Sequence, residues 1–332
     1  MALLETVDLR KSFRTRRTVV EAVRGVTLSV DAGEIFGFLG PNGAGKTTTL
    51  RMLTTLLPPD GGQARVAGYN LLREAARIRE QIGYVSQSGG VDINATGREN
   101  VLLQAQLYHI KETKQRTAEL LALLQLEHCA DRLASTYSGG ERRRLAVAMG
   151  LVHRPALLFL DEPTTGLDPQ SRAHLWDEIR TLRKNGTTVF LTTHYLEEAD
   201  MLCDRLAIID HGTIVAEGTP ASLKRSFAHD AIMLGLDRTM LAQAQQVLQD
   251  QPFIKELQPR EEELRLYVED GSKVLPLLVQ ALGNAHIAPR TITLAQPTLD
   301  DVFLRITGRS LRENGENAQN TGIQKAKSAA GA

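Results

Sequence analysis

The sequence predicts an α/β fold: a sheet domain with a phosphate-binding loop and an inserted helical subdomain, then a small ferredoxin-like α+β domain. Three observations support this fold class. From Glu5 to about Leu223, short apolar β-like runs alternate with helical patterns, as in largely parallel sheets. A glycine-rich loop follows one of these runs and precedes a helical pattern. From Ala231 to Thr307, the runs follow a βαββαβ order with one further helix.

The glycine-rich loop is the strongest local signal in the chain. The fixed positions of the phosphate-loop pattern G-x-x-x-x-G-K-[ST] are filled by Gly40, Gly45, Lys46 and Thr47. In such loops backbone N–H groups converge on the phosphates, because glycine has no Cβ. The lysine reaches the β- and γ-phosphates, and the threonine hydroxyl binds Mg²⁺. A helical pattern then runs through Leu57 to two prolines. The predicted nucleotide ligands of the loop are Gly40, Pro41, Asn42, Gly43, Ala44, Gly45, Lys46, Thr47 and Thr48.

The first domain is predicted to alternate strands with helices. Its clearest predicted strands are Glu34–Leu39, Gly83–Ser86, Ala156–Leu160, Thr187–Thr192 and Arg205–Asp210. A tight turn at His211-Gly212 predicts a hairpin into residues 214–217, and Thr219-Pro220 predicts the start of a helix. Between Ala95 and Ala134 there is no strand signal, whereas leucines recur with helical spacing. We therefore predict a helical subdomain over about residues 95–153, inserted into the sheet domain.

The second domain is predicted over residues 230–308, after a first domain of residues 1–229. Its predicted elements, in βαββαβα order, are Ile232–Leu236, Leu241–Leu248, Ile254–Leu257, Leu264–Val268, Val274–Leu282, Ile287–Leu294 and Thr298–Ile306. From residue 309 to residue 332, polar and small residues dominate and almost nothing is apolar. That composition predicts a disordered tail.

Two adjacent acids end one of the predicted buried strands. Residues 156–163 read Ala-Leu-Leu-Phe-Leu-Asp-Glu-Pro, so the strand delivers Asp161 and Glu162 at its end. Buried carboxylates are costly without a cation nearby. We predict that Asp161 binds Mg²⁺, usually through water, and that Glu162 polarises the attacking water.

Composition and charge argue against several classes of protein. Lys and Arg together number 39, as do Asp and Glu, so the formal net charge is zero and no nucleic-acid partner is expected. No apolar run approaches the ~20 residues that span a bilayer, and the acidic N-terminus differs from a signal peptide. Cys129 and Cys203 lack a metal-binding spacing and are expected to be buried thiols in a reducing compartment. We therefore expect a cytoplasmic protein.

Residues 137–141, Tyr-Ser-Gly-Gly-Glu, resemble the signature of ATP-binding-cassette (ABC) ATPases, which is usually Leu-Ser-Gly-Gly-Gln. The resemblance covers roughly residues 3–225, with the family's motifs in their usual order. It implies that Gln87 is the glutamine-loop residue, that His194 senses the γ-phosphate, and that Phe13 stacks on adenine. It also implies ATP-binding roles for Ser138, Gly139, Gly140, Glu141 and Asp168. Together with the loop and the acids, the predicted catalytic residues are Glu162, His194, Lys46 and Gln87, and the predicted Mg²⁺ ligands are Thr47, Gln87 and Asp161.

The chain departs from the family pattern at both ends of the signature. Tyr137 stands where leucine is usual, and Glu141 stands where glutamine is usual. A carboxylate near another subunit's γ-phosphate would be repelled. Ser138-x-x-Glu141 is also a capping box, in which Glu141 folds back onto the Ser138 N–H and leaves the Ser138 hydroxyl and Gly140 N–H facing phosphate. The arginines that follow, at positions 142–144, are predicted to form a solvated helix face rather than a substrate site.

Further motifs narrow the resemblance to the daunorubicin-resistance type of exporter ATPase. They are the signature with its arginines, Thr193–Asp200 and, in the second domain, Pro297–Leu304, so the resemblance reaches about residue 308. It implies an ATP-hydrolysing subunit that pairs head to tail as a homodimer and binds a membrane permease on a separate chain. Such a subunit is peripheral on the cytoplasmic face of the cell membrane and powers efflux of a drug-like or other hydrophobic compound.

Other functions remain open on the sequence alone. The cassette core is similar in importers, so an importer ATPase is the nearest alternative. A soluble ABC protein acting on ribosomes or DNA is disfavoured because the chain has one cassette, no heptad array and no net positive charge. A regulatory module that does not hydrolyse ATP is expected to lack Glu162 or His194, and both are present.

Overall fold

The computed structural model of the chain describes residues 2–14, 18–227, 230–249, 251–259, 263–295 and 297–308. The predicted tail over residues 309–332 lies outside the described residues. The described chain forms two compact units, divided between Pro220 and Ala221. The predicted domain boundary between residues 229 and 230 lies beyond this division and stays a prediction.

The first unit alternates strands and helices along the chain. Its strands are β1 (Ala2–Arg14), β2 (Val19–Asp31), β3 (Ile35–Leu39), β4 (Gly61–Val66), β5 (Tyr69–Asn70), β6 (Ile82–Val85), β7 (Leu157–Asp161), β8 (Thr188–Thr193), β9 (Arg205–Asp210) and β10 (Thr213–Gly218). Its helices are α1 (Lys46–Leu53), α2 (Ala75–Gln81), α3 (Gly97–Leu107), α4 (Thr113–Leu123), α5 (Gly139–Gly150), α6 (Pro169–Lys184) and α7 (Leu196–Leu202).

The predicted parallel sheet is present, with the strand order β10-β9-β3-β8-β7-β6. Strands β9, β3, β8, β7 and β6 pair in parallel, and β10 joins the edge as the antiparallel arm of a hairpin. Every residue of β3, β7 and β8 is buried, as expected for a sheet covered on both faces. The hairpin turn has positive φ at His211 (47°) and Gly212 (81°), which matches the predicted tight turn.

A second, antiparallel sheet lies beside the parallel sheet in the first unit. It was not predicted from the sequence. Its strand order is β2-β1-β4-β5. Leu4, Leu9, Val26 and Val30 from its strands belong to the same hydrophobic cluster as Phe36 and Phe38 of β3. The two sheets therefore share one core.

The helices of the first unit follow the prediction in position more closely than in length. The helix after the phosphate loop ends at Leu53, so the predicted extension to Leu57 is wrong. Thr54 Oγ1 donates to the Leu50 carbonyl and Thr55 has a positive φ of 63°, and together these end the helix before the prolines. The predicted helical subdomain contains α3, α4 and α5, with short 3₁₀ turns at Glu127–Cys129 and Ala134–Thr136. Cys129 and Cys203 are buried and free, as predicted.

The second unit has the predicted ferredoxin-like order. Its elements are α8 (Pro220–Phe227, whose first residue ends the first unit), β11 (Asp230–Gly235), α9 (Arg238–Gln249), β12 (Ile254–Pro259), β13 (Glu263–Val268), α10 (Gly271–Asn284), β14 (Thr291–Ala295) and α11 (Leu299–Thr307). The strand order is β12-β13-β11-β14, antiparallel throughout. The last strand begins at Thr291 and not at Ile287, which is buried in the core of this unit ahead of the strand.

Candidate nucleotide-binding site

The phosphate loop connects β3 to the N-terminus of α1. Gly45 occupies the cap position of α1 with φ 107°, and Gly43 has φ 81°, both in the left-handed region that favours glycine. A Cβ at Gly40 would collide with the Ile209 carbonyl, and one at Gly45 with the Ala22 carbonyl. The two glycines thus allow the loop to lie directly against neighbouring backbone. This loop presents a helix N-terminus, which attracts anions.

Lys46 extends from the first turn of α1 back across the loop. Its Nζ donates to the carbonyls of Gly40 (2.7 Å) and Pro41 (3.1 Å) and lies 3.3 Å from Glu162 Oε1. The side chain is 4% exposed, and burial lowers the pKa of Lys46, although Glu162 and Asp161 oppose this. The loop therefore holds a buried cation beside a carboxylate.

Asp161 lies at the end of β7, buried between two hydroxyl groups. Thr192 Oγ1 donates to Asp161 Oδ1 at 2.6 Å, and Thr47 Oγ1 donates to the same oxygen at 3.2 Å. No cationic side chain among the described residues forms an ion pair with this carboxylate, which is 2% exposed as a residue. Hydroxyl and carboxylate oxygens are hard donors of the kind that Mg²⁺ prefers. The residues present therefore fit a magnesium ion.

Glu162 is the centre of the polar cluster. Its backbone has φ 45°, and its N–H donates to the Thr192 carbonyl (3.1 Å) and to Thr192 Oγ1 (3.0 Å). Its Oε2 accepts hydrogen bonds from Gln87 Nε2 and Thr165 Oγ1, both at 3.2 Å, and lies 3.2 Å from His194 Nδ1. Burial by itself raises the pKa of Glu162, but His194 and Lys46 outweigh it and lower that pKa to about 2. Glu162 is thus ionised at neutral pH.

The signature residues begin helix α5 with the predicted capping box. Glu141 N–H donates to Ser138 Oγ (3.1 Å), and Ser138 N–H donates to Glu141 Oε2 (2.7 Å). Glu141 Oε1 lies 3.1 Å from His128 Nε2. Ser138 and Gly139 are exposed. The capping box therefore directs the Glu141 carboxylate back along the chain and leaves the exposed serine at the helix start.

The signature contacts the segment of the same chain that ends at Asp168, residues 165–168, which corresponds to the aspartate loop of ABC ATPases. A Cβ at Gly140 would lie 2.8 Å from Ser171 Oγ, and one at Gly139 would lie 3.6 Å from Leu167. Asp168 is the N-cap of α6, accepting from the Ser171 N–H (2.9 Å) and the Ser171 hydroxyl (2.6 Å). These bonds with Ser171 lower the pKa of Asp168.

The two aromatic residues that the sequence singled out differ in burial. Phe13 is 42% exposed near the end of β1, so its ring is open to a ligand. Tyr137 is buried, and its hydroxyl donates to the Cys129 carbonyl at 2.6 Å. Gly97 packs against that hydroxyl, where a Cβ would collide. The residue that replaces the usual leucine therefore anchors the start of the signature to Cys129 and to Gly97, at the start of α3.

The prediction of a solvated arginine face after the signature is wrong. Only Arg142 is exposed. Arg143 is buried and donates to backbone carbonyls, and Arg144 lies 3.5 Å from the buried Glu178. Helix α5 is surrounded by neighbouring elements, so its consecutive residues meet different partners.

Sequence reasoning also missed two threonines of the cluster. Thr192 contacts Asp161 and Glu162, and Thr165 donates to Glu162. The available signal was position: Thr192 ends a buried strand beside the one that carries the acids, and Thr165 follows Glu162 closely in the chain. The structure thus brings Lys46, Thr47, Gln87, Asp161, Glu162 and His194 together, whereas Ser138, Gly139, Gly140, Glu141, Asp168 and Phe13 lie at other places on the first unit.

None of the helices in the described ranges is both long enough and apolar enough to cross a membrane.

Comparisons with known proteins agree with this arrangement. The ABC transporter family model matches residues 23–165, and the model for the C-terminal domain of DrrA1-3-like ATP-binding proteins matches residues 218–307. The daunorubicin/doxorubicin resistance ATP-binding protein DrrA of Streptomyces peucetius is 44% identical over 311 residues, covering 92% of each chain. The linearmycin resistance ATP-binding protein LnrL of Bacillus subtilis is 34% identical, covering 94% of this chain and 100% of the relative.

Two further comparisons extend the likeness to export and to solved structures. The Nod factor export ATP-binding protein I of Ralstonia nicotianae is 38% identical over 320 residues, covering 94% of this chain and 95% of that one. A dimeric ATP-binding cassette in a post-hydrolysis state, bound to ADP and Pi, superposes with a TM-score of 0.60 at 25% identity. That comparison covers 65% of this chain and 98% of the cassette.

Proposed function

The chain belongs to the ABC transporter family of ATPases, in the group of the daunorubicin-resistance ATP-binding proteins, and we propose that it powers export of a drug-like or other hydrophobic compound through a separate membrane permease. Support for export comes from the names of relatives, which refer to drug resistance and to Nod factor export. Support for the chemistry comes from one geometric observation: Glu162 lies in contact with Lys46, Gln87 and His194.

In the proposed reaction, Glu162 orients and polarises the water that attacks the γ-phosphate. Lys46 and His194 stabilise the negative charge that develops on the phosphate oxygens. A bound phosphate would draw Lys46 away from Glu162. Because Lys46 helps to lower the pKa of Glu162, its departure makes the carboxylate a better proton acceptor when substrate is present.

Thr47 and Asp161, with Gln87, would hold the magnesium ion. When bound, Mg²⁺ neutralises charge on the β- and γ-phosphates. Asp161 is already held by Thr192 and Thr47 through one oxygen, so its place at the strand end is fixed before nucleotide binds. The phosphate-loop residues 40–48 would bind the phosphates, and Phe13 would stack on adenine.

We propose that two copies close head to tail, with each ATP held between the phosphate loop of one copy and Ser138, Gly139 and Gly140 of the other. The exposed start of α5 supports this arrangement. Glu141 is compatible with a neighbouring phosphate because its carboxylate accepts from the Ser138 N–H. Both Ser138 and the aspartate-loop helix, capped by Asp168, would then face the partner.

The permease is proposed to dock at a cleft on the first unit, between the parallel sheet and the helical subdomain. The cleft has a volume of about 320 Å³. It is lined by residues of several elements, among them Arg79, Tyr84, Ser86, Gly89, Tyr108 and Met149. The segment that follows Gln87, residues 88–98, connects the sheet to the helical subdomain at this cleft. Docking there would allow movement of the permease to displace Gln87, which contacts Glu162. It would also place the chain on the cytoplasmic face of the membrane.

The proposal is tested with the full chain and its permease in everted membrane vesicles. ATP-dependent accumulation of substrate inside such vesicles is expected, because their cytoplasmic face points outward. The Lys46→Ala variant should give no accumulation, and charge reversals at Asp92 and Arg98 should weaken sedimentation of the chain with permease-containing membranes. Substrate release instead of accumulation would favour the importer alternative. If the chain hydrolyses ATP but drives no transport through any permease tested, a role in transport is contradicted.

A further inference from the structure

Arg143 is a buried charge that the ATP chemistry described above does not use. It lies in α5, the helix that begins with the signature, and is 7% exposed. Its Nη1 donates to the carbonyl of Ser86 (2.6 Å) and, more weakly, to that of Gln87 (3.4 Å). Its Nη2 donates to the carbonyl of Asp161 (2.9 Å). One guanidinium therefore contacts the chain just after β6 and the last residue of β7.

These contacts are strong and geometrically demanding. Burial lowers the pKa of Arg143 to about 10, so the guanidinium is still charged at neutral pH. Among the described residues no carboxylate forms an ion pair with it, so backbone carbonyls are its hydrogen-bond partners. Hydrogen bonds from an ionised donor are roughly twice as strong as neutral ones, and the planar guanidinium fixes the direction of each.

The carbonyls belong to the residues on either side of the hydrolytic centre. Ser86 and Gln87 directly follow β6, and the Gln87 side chain donates to Glu162. Asp161 ends β7 and precedes Glu162. One helical turn beyond Arg143, Ala146 lies against Gly89, where a Cβ would come within 3.6 Å. The segment after β6 thus follows the surface of α5.

We propose that Arg143 is a positioning residue that ties the signature helix to Gln87 and to the end of β7, so that movement of α5 changes the position of Gln87 relative to Glu162. This inference rests on the proposed function, because it gives Arg143 a role in ATP hydrolysis at that site. The signature end of α5 is proposed to meet the ATP held by the partner copy. Arg143 would therefore link the ATP that is bound to the partner copy's phosphate loop with Gln87 and Glu162 of its own copy.

The test compares Arg143→Met and Arg143→Lys with the matched control Arg142→Met, which changes an exposed arginine of the same helix. In the full chain, Arg143→Met should lower kcat for ATP at least about tenfold and leave the dissociation constant for ATP within about threefold. Arg143→Lys, which keeps the charge but cannot bond to separated carbonyls at once, should be intermediate. A parallel fall of kcat, ATP affinity and unfolding free energy would indicate a merely structural role and overturn the inference.

A double-mutant cycle with Gln87→Ala tests the route of the effect. If Arg143 acts through Gln87, the loss of kcat caused by Arg143→Met should largely disappear in the Gln87→Ala background. If the double variant instead shows the product of the two single-variant losses of kcat, the inference is contradicted.

Hydrogen exchange of amides 86–90 without nucleotide provides a measurement that needs no ATPase activity. Exchange should be faster in Arg143→Met or, if that variant does not fold, in Arg143→Lys, and unchanged in Arg142→Met. Equal exchange in all variants would overturn the inference, whereas absence of ATP hydrolysis by the wild type would refute only the proposed function.

Discussion

Replacing Glu162 by glutamine should separate ATP binding from ATP hydrolysis. The amide has nearly the same shape as the carboxylate but cannot accept a proton from water. Lys46, Thr47 and Asp161 keep their places, so ATP binding should persist. We expect hydrolysis to fall by about 10²- to 10⁴-fold, the usual contribution of a positioned general base. If two copies close around ATP as proposed, the variant should accumulate as an ATP-bound dimer, because the ATP between the copies is no longer hydrolysed.

The same substitution should change stability by an amount that the structure sets. The pKa of Glu162 falls from an ordinary value of 4.5 to about 2. Each pKa unit corresponds to about 1.4 kcal/mol, so the ionised side chain stabilises the nucleotide-free fold by about 3 kcal/mol. This contribution is fully present above pH 4.5 and is lost as pH falls through 2. The difference between wild type and variant should therefore be largest at neutral pH and shrink below pH 4.5.

Three measurements test this prediction. Phosphate release gives turnover, and size-exclusion chromatography with ATP gives the dimer. Denaturant unfolding followed by the fluorescence of Trp176, the single tryptophan of the chain, reports on the nucleotide-binding unit. Glu197→Gln, at an acid whose side chain is 70% exposed, is the matched control and should change none of these. Turnover by Glu162→Gln close to that of the wild type would refute the assignment of the general base.

Three other perturbations have defined outcomes. Burial raises the pKa of Glu178 to about 7, so its ionisation lowers the free energy of unfolding as pH rises from 4.5 through 7. Glu178→Gln should therefore remove a fall of up to about 3 kcal/mol in that free energy between pH 5 and pH 8. An unfolding free energy that falls with pH as steeply in the variant as in the wild type would contradict this. Phe13→Ala should weaken ATP binding about tenfold, as loss of base stacking does, and Phe13→Trp should restore it; equal ATP affinity of all three proteins in a fluorescent-nucleotide titration would exclude adenine stacking. Removal of residues 230–332 should preserve ATP binding by the monomer but weaken dimerisation or efflux, whereas removal of residues 309–332 alone should leave both dimerisation and efflux unchanged. Loss of ATP affinity in a folded 1–229 fragment would show that the domain boundary is misplaced.

Local patterns in the sequence predicted part of the polar cluster around Glu162, whereas Gln87 and His194 were predicted only from the family resemblance. The phosphate loop, the acid pair and the capping box are defined by neighbouring residues, whose spacing fixes their geometry whatever surrounds them. Adjacent parallel strands then bring their carboxyl ends together, which places Asp161 beside Thr192 and Glu162 beside His194. The fold class followed from the same alternation of strands and helices.

The antiparallel sheet was harder to predict because its pairing is distant and irregular. Strand β1 pairs with β2 through several register shifts and with β4, which lies beyond the phosphate loop. Each shift interrupts the alternation of buried and exposed residues on which strand prediction depends. The start of β14 was misplaced for a related reason: Ile287 is apolar and buried, but burial does not require a residue to lie in a strand.

The sequence alone does not predict the different environments of the three arginines after the signature. Three consecutive residues of an α-helix are each about 100° apart, so they cannot share one face. In an isolated surface helix all three could still reach solvent, but α5 is buried along most of its length and each arginine meets a different environment. Arg142 faces solvent, Arg143 contacts the ends of two strands, and Arg144 contacts Glu178 of α6. Identical residues thus have different environments because tertiary packing differs around the helix, and only the structure shows which of them contacts the residues beside the proposed hydrolytic centre.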